Sequence, residues 1–342
     1  MRKILVTGGA GFIGSGFVDE CVKRGDQVVV LDLMTYAGHE TNLAASRAAI
    51  KLVKGDIADR EVVRSLFAEH GFDSVVNFAA ESHVDRSITA PSGFVHTNVL
   101  GVFSLLDGAL GHFEKLSAGA REKFRFVHVS TDEVFGALGE TGKFSESTPY
   151  APNSPYSASK AGGDHLARAW FHTYKLPVVV TNCSNNYGPR QFPEKLIPHM
   201  IDCALSGKTL PVYGKGQNVR DWIHVADHCA GVRLALDRGV PGDSYCFGGN
   251  SERKNLDVVR SICAELDRAA PRASGTYTDQ IAFVEDRKGH DWRYAIDDSK
   301  AQKELGFKRQ FSNFEEGLAQ TVRWYLANRD WMTAVLGKNK NG

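Results

Sequence analysis

The chain has 342 residues, 42% of them hydrophobic and 24% charged, enough for one large domain or two lobes with a substantial core. A formal net charge of +1 gives no long-range field for nucleic acid or an anionic membrane, so any basic site must be local. No stretch is expected to approach the roughly 18 apolar residues of a membrane span; the apolar run in MRKILVTGG is too short for a secretory signal, and six cysteines without a C-x-x-C pair read as buried thiols of a reducing compartment, the cytoplasm by default.

Along the chain, short β-branched runs alternate with segments of helical period. KILVTG (3–8), QVVVLD (27–32), IKLVKGD (50–56), SVVNFAA (74–80), FRFVHVS (124–130) and VVVTNCS (178–184) predict buried strands, with helices between them at 12–24, 60–69, 92–114 and 155–174. That alternation predicts an α/β fold, a Rossmann-type doubly wound parallel sheet with right-handed crossovers. Beyond about residue 185 proline and glycine punctuation thickens (GPRQFP, GKGQ, VPGDS, FGGN), which predicts a smaller, loop-rich C-terminal α/β lobe with short helices. Residues 222–247 again read as helix and strand of the first lobe. The expected division is 1–185 plus about 222–247 for the Rossmann-type domain, about 186–221 plus 248–336 for a substrate-binding lobe, and a frayed polar tail at 337–342.

TGGAGFIG sets Gly8, Gly11 and Gly14 after the first strand and at the mouth of the first helix. Glycines there let backbone approach a pyrophosphate, and the helix N-terminus supplies amide donors. The spacing is G-x-x-G-x-x-G, that of short-chain dehydrogenase/reductases, although a tight strand–helix turn would also use it. Asp32 ends the second strand, where a carboxylate can hold a ribose hydroxyl, and no arginine follows it to receive a 2′-phosphate. That pattern favours NAD over NADP. Asp56, after the third strand, is placed either to reach an adenine amino group or to sit solvated in a loop.

Tyr156 and Lys160 form Y-x-x-x-K at the start of a helical pattern, on one helix face. An ammonium close to a phenol lowers its pKa from about 10, which makes a usable base; the same pair also occurs on ordinary surface helices. In HVSTDEVFG (128–136) a strand ends in Ser130 and Thr131 and then presents Asp132 and Glu133. Such a pair is either a solvated acidic turn or, at a strand end facing the ligand crevice, an acid and a base for eliminating water from a sugar.

TGGAGFIGS, LDLMTYAG, FAAESHVDRSI, VSTDEVFG, SPYSASKAGGDH, NCSNNYGPRQFPEKLIP, VRDWIHVADH and EDRKGHDWRYAID occur in order over nearly the whole chain. In these segments the chain resembles the dTDP-glucose 4,6-dehydratases, a branch of the extended short-chain dehydrogenase/reductases. Related epimerases and decarboxylases generally lack the acidic pair, so VSTDEV is the discriminating segment. The resemblance implies that a nucleotide-linked hexose, dTDP-glucose first, is oxidised at C4, loses water across C5 and C6, and is reduced at C6 on one NAD. Tyr156, helped by Thr131 and Lys160, would take the 4-hydroxyl proton. Glu133 would take the C5 proton, and Asp132 would protonate the departing 6-hydroxyl.

The same resemblance implies the surroundings of both ligands. Phe12, Ile13, Ile57, Ala79, Ala80 and Ser82 would complete the cofactor site. Ser82, His83 and Thr131 would meet the sugar; His83 reads equally as a loop-packing residue, and with no Cys/His/Asp cluster at ligand spacing no metal is expected. Asn186, Lys195 and Leu196, then Pro211 and Tyr213, would line the nucleotide subsite. Asn255, His290 and Tyr294 would join them, with Arg220 and Arg287 as diphosphate clamps. Phe135, Arg190, Trp292 and Gly16 depart from the residues common in the family. Arg190 and Trp292 adjoin nucleotide-sugar motifs, so a UDP- or CDP-linked or amino hexose stays open, with a 4-epimerase or a non-catalytic NAD sensor further off. Helices 92–114 and 155–174 carry long apolar faces, which the family pairs into a four-helix-bundle homodimer; the alternative is that both faces pack within one subunit.

Overall fold

The computed structural model describes residues 1–286 and 289–338, so Arg287 and most of the expected tail lie outside the described residues. In the first lobe β1 (Lys3–Thr7), α1 (Phe12–Lys23), β2 (Gln27–Asp32), β3 (Ile50–Lys54), α2 (Arg60–His70) and β4 (Ser74–Asn77) follow in turn. A long helical stretch comes next: α3 (Val84–Thr89), then α4 (Pro91–Val95), which runs through a π turn at His96–Gly101 into α5 (Val102–Phe113). After α6 (Ala118–Lys123) come β5 (Arg125–Val129), a 3₁₀ turn at Asp132–Phe135, α7 (Pro155–Tyr174) and β6 (Val178–Cys183).

The second lobe contributes β7 (Asn185–Tyr187), α8 (Leu196–Leu205), β8 (Leu210–Tyr213) and β9 (Val219–His224). The chain then rejoins the large sheet through α9 (Val225–Arg238) and β10 (Ser244–Phe247), and returns with β11 (Glu252–Lys254), α10 (Asn255–Ala269), β12 (Ile281–Val284), α11 (Phe314–Ala327) and α12 (Arg329–Lys338). Trp222–His224 pair within a three-stranded sheet, β11-β9-β7. α10 and α11, at 15 and 14 residues, are longer than the short helices expected there. In α10 the buried Leu256, Val259, Ile262, Cys263 and Leu266 recur at helical spacing between charged residues that dilute the pattern.

The seven-stranded sheet has the order β10-β6-β5-β4-β1-β2-β3, with every paired strand parallel. Helices cover both faces, which is why strands such as VVV (28–30) and VVV (178–180) are continuous apolar runs. Leu5, Val29 and Val75 pack on the α2/α5/α7 side, and Ile4, Val6, Val28 and Val76 on the α1/α9 side. Strand order reverses between β1 and β4, so the crevice for a ligand opens above their carboxyl ends. One helix, Pro91–Phe113, is long and apolar enough to cross a membrane by length and composition, which the sequence reading did not anticipate. Half of it is buried inside the fold, its α5 part packed on α2 and α7.

The π turn turns Asn98 inward, where it is buried. Its Oδ1 accepts from the Glu81 amide at 2.9 Å, and its Nδ2 donates to the Glu81 carbonyl at 3.0 Å and to Ser159 Oγ at 2.9 Å. One side chain thus joins the loop after β4 to α7. Asn98→Ala leaves these groups buried and unpaired, and should lower unfolding free energy by roughly 2 to 3 kcal/mol, read from denaturant melts.

Candidate active site

The turn after β1 fits a dinucleotide through what it lacks. Gly8 has φ +66°, and a Cβ there would stand 2.6 Å from the Ala79 amide nitrogen; a Cβ on Gly14 would stand 2.2 Å from the Gly8 carbonyl oxygen. With Gly11 as the residue before α1, the turn and the helix mouth present bare backbone. They open into a cavity of about 310 Å³ whose wall includes Gly8, Gly11, Phe12, Ile13 and Gly14, then Asp32, Asp56 and Ile57, then Ala79, Ala80 and Ser82. Thr131, Asp132, Glu133, Tyr156, Lys160, Asn186 and Lys195 line the same cavity.

Asp32 is fixed by backbone donors, Ala10 N at 2.9 Å and Met34 N at 2.8 Å. Beside it stand Leu33, Thr35, Ala37 and Gly38, and among the described residues the cations on the cavity wall are Lys160 and Lys195. A carboxylate at this strand end suits a ribose hydroxyl and repels a 2′-phosphate. Asp56 is neither simply solvated nor simply available: it accepts from Ala58 N at 2.8 Å and lies 3.0 Å from His96 Nε2.

At the end of β5, Thr131 caps the 3₁₀ turn by accepting from Glu133 N at 3.3 Å, and it lines the same cavity as the Tyr156 phenol. The turn puts Asp132 inside the protein and leaves Glu133 half-buried on the cavity wall. Burial, reinforced by Glu133 and Asp221, holds the Asp132 carboxyl well above the usual carboxylate range, against the smaller opposing pull of Arg220. Its Oδ2 is buried with no hydrogen-bond partner among the described residues.

Tyr156 differs from the sequence expectation. Burial first, then Glu133, push the phenol well above its ordinary value, and Thr131 opposes them. Lys160 shares its helix face but donates to the Val129 carbonyl at 2.8 Å, so the ammonium is spent on the strand. Burial lowers the Lys160 pKa, and Asp164 counters it.

Asp164, which the sequence reading missed, continues the spacing to Y-x-x-x-K-x-x-x-D. It is fully buried, accepts from Ser130 Oγ at 2.7 Å and Tyr150 Oη at 2.9 Å, and faces His128 Nε2 at 3.2 Å without alignment for a hydrogen bond. Burial alone would raise its pKa, but His128, Lys160 and Ser130 outweigh it and hold the carboxylate ionised. Behind it, His128 meets Asn77 at 3.1 Å, and Asn77 accepts from Thr7 at 2.6 Å.

The remaining expected residues are not all brought to this cavity. His83 caps α3, accepting from Arg86 N at 3.3 Å, and stands 3.7 Å from Glu194. Leu196 begins α8, Pro211 and Tyr213 lie on β8, and Asn255 opens α10. Tyr213 meets the His290 ring edge-on at 6.3 Å. Arg220 is buried 4.2 Å from the Tyr294 ring and donates to the carbonyls of Val219, Asp291 and Trp292. Arg287, the other expected clamp, lies outside the described residues. Arg190 faces the cofactor side: it pairs with Asp19 at 2.9 Å and donates to the Asn42 carbonyl at 2.5 Å. Among the described residues no group of three or more His, Cys, Asp or Glu could hold a metal ion.

Comparison with known proteins places these features. The family model described as GDP-mannose 4,6 dehydratase matches residues 5–321. The chain is 58% identical over 339 residues to a dTDP-glucose 4,6-dehydratase of Xanthomonas campestris pv. campestris strain B100, covering 98% of this chain and 96% of the relative. Among solved structures it is similar to dTDP-glucose 4,6-dehydratase DesIV from Streptomyces venezuelae with NAD bound, at 46% identity and TM-score 0.88, over 97% of this chain and 99% of that one. A UDP-glucose 4-epimerase of Thermotoga maritima matches with TM-score 0.84 at 26% identity, over 96% and 99% of the two chains.

Asp164 has a pH signature. Its folded pKa lies below 3.8, so the ionised carboxylate stabilises the fold above the unfolded pKa, and that stability is lost as pH falls through the folded value. Asp164→Asn should cost roughly 3 to 5 kcal/mol at pH 7 by stranding its buried partners. Denaturant melts of both proteins should converge as the pH falls into the range where wild-type Asp164 protonates.

Proposed function

The chain belongs to the dTDP-glucose 4,6-dehydratase family, and from that membership we infer that it converts dTDP-glucose to the 4-keto-6-deoxy sugar with NAD. The observation that carries the reading is the unlike carboxyl pair, Asp132 buried with its pKa held well above the usual carboxylate range beside the half-buried Glu133, with Thr131 and Tyr156 on the same cavity wall. Neither simple oxidation nor epimerisation at C4 needs an acid and a base side by side; elimination of water does.

The glycine turn and Asp32 would hold NAD, which when bound would supply the hydride acceptor for C4 and the hydride for C6. Tyr156, working as its phenolate, accepts the 4-hydroxyl proton; passed on through solvent, that proton replaces the one Asp132 gives up, so each turnover closes. Thr131 orients both partners from the end of β5. Glu133 removes the C5 proton, made acidic by the new C4 carbonyl, and later returns it. Asp132 gives its proton to the 6-hydroxyl, which leaves as water. Two carboxyl groups one residue apart divide acid and base because burial separates their proton affinities.

For the nucleotide we propose the second-lobe surface of Tyr213, Asn255 and His290, next to Asn186 and Lys195 on the cavity wall. We also propose a homodimer. Ile88, Val95, Leu100 and Tyr174 are exposed on α3, α4, the π turn and α7, an apolar face that a second copy would cover, and the mass in solution bears on this. The six cysteines are free and buried, which supports a reducing, cytoplasmic setting.

The experiment is incubation with dTDP-glucose, with UDP- and CDP-glucose alongside, followed by mass detection. Loss of one water from dTDP-glucose is the expected result, and dTDP-galactose alone would point to epimerisation. Glu133→Gln should keep NAD bound, lose deuterium uptake at C5 in D₂O, and turn over about 10² to 10⁴ times more slowly.

A further inference from the structure

Three segments that form the cavity wall meet at one carboxylate. The loop after β2 contributes Leu33, Thr35, Ala37 and Gly38 to the wall; the segment after β4 contributes Glu81 and Ser82; the second lobe contributes Gln191, Phe192, Glu194 and Lys195. Tyr36 donates its phenolic hydrogen to Glu194 Oε1 at 3.1 Å, with its ring edge-on to Phe192 at 5.3 Å. The Arg86 guanidinium lies 3.7 Å over the Tyr36 ring and 3.2 Å from Glu194 Oε2. Next to Glu194, Lys195 donates to the Ser82 carbonyl at 2.7 Å.

The same loop is tied to the second lobe again further along. Arg190 joins Asp19 and the Asn42 carbonyl, and Trp331 Nε1 donates to Asn42 Oδ1 at 2.8 Å. Between these ties the loop after β2 spans from one lobe to the other along the cofactor cavity. The Glu194 side chain is 13% exposed and Arg86 44%, and Arg86 adds contact with an aromatic face to its charge contact with the carboxylate.

We propose that Tyr36, Arg86 and Glu194 form a clasp that closes the cavity over the dinucleotide and retains the cofactor between the two hydride transfers. The proposal rests on the NAD-dependent reading above. In that cycle the cofactor reduced at C4 must be the one reoxidised at C6; if it escaped in between, an oxidised hexose and an empty protein would result. A cavity strapped across by two loops makes escape require the rupture of a buried carboxylate's bonds, whereas an open groove would not. These are positioning residues, because none of the three is asked to touch a reacting atom.

The test measures exchange of bound cofactor without any sugar. Purified holoenzyme is mixed with excess deuterium-labelled NAD, and the bound fraction is followed by mass spectrometry. Glu194→Gln keeps an acceptor for Tyr36 and removes the charge facing Arg86; Arg86→Gln removes the cation. Each should exchange at least about tenfold faster than wild type. Glu20→Gln, on a surface helical pair with Arg24, should exchange at the wild-type rate. If either clasp variant does not fold, Tyr36→Phe carries the same expectation with a smaller change. With dTDP-glucose added, the clasp variants should also release NADH to a scavenging dehydrogenase during turnover. Wild-type exchange rates in folded Glu194→Gln, Arg86→Gln and Tyr36→Phe would overturn the clasp. Failure of wild type to dehydrate dTDP-glucose would overturn the functional reading instead, and the exchange rates would still decide the clasp.

Discussion

Lys160 takes an ammonium out of water at the point where β5 meets α7, and Asp164 takes a carboxylate out of water one helical turn further on. Desolvating an ion costs several kcal/mol even after relaxation, far more than the 0 to about 1 kcal/mol that an exposed pair contributes. The two can stay ionised because each has partners within reach: the Val129 carbonyl for Lys160, and Ser130, Tyr150 and His128 for Asp164. Those partners lie on β5 or next to it. Compensating two buried charges therefore sets α7 at one height against the strand, and Tyr156, Thr131, Asp132 and Glu133 inherit that height.

Desolvation also explains why neighbouring groups of one chemical type behave differently. Asp132 and Asp164 are both buried aspartates. Asp164 has strong donors and a nearby ammonium, and stays ionised. Asp132 meets Glu133 and Asp221 with one weak donor, and its pKa is held well above the usual carboxylate range. Burial and the Glu133 carboxylate act in the same direction on the Tyr156 phenol.

Much of this was legible before any coordinates. The glycine spacing, the six strands of the first lobe and the acidic pair at a strand end are local signals, each written within about ten consecutive residues. What was not legible depends on tertiary neighbours. The direction of the Lys160 ammonium is decided by the Val129 carbonyl, on another element, so i, i+4 spacing alone suggested a partnership with Tyr156 that the buried geometry does not make. Asp164 was available to the same spacing argument, one turn on, but its role needs Ser130, Tyr150 and His128 around it. The inward turn of Asn98 depends on a π turn that apolar periodicity does not reveal. The partners of Arg220 and His83, carbonyls of its own lobe for one and a helix end for the other, are likewise not visible in charge or motif position.

The two ends of the site have opposite physical characters, and the proposed chemistry needs that asymmetry. At the cofactor end Lys160, Asp132 and Tyr156 are buried, and loops from both lobes are bonded to one another. In the second lobe Tyr213 on β8, Phe283 on β12 and Trp292 beside β9 are exposed. A reaction that oxidises and then reduces the same sugar leaves its cofactor unchanged after each turnover, so nothing requires the cofactor to exchange. The sugar nucleotide must enter and leave every time. Rigid, desolvated walls suit the first ligand, because they hold charges in fixed relation and make opening costly. An exposed aromatic surface suits the second, because stacking binds a flat base without burying it beyond release. A single pocket of uniform stiffness would either trap product or lose cofactor; dividing the ligands between a buried sheet crevice and an open second lobe avoids both.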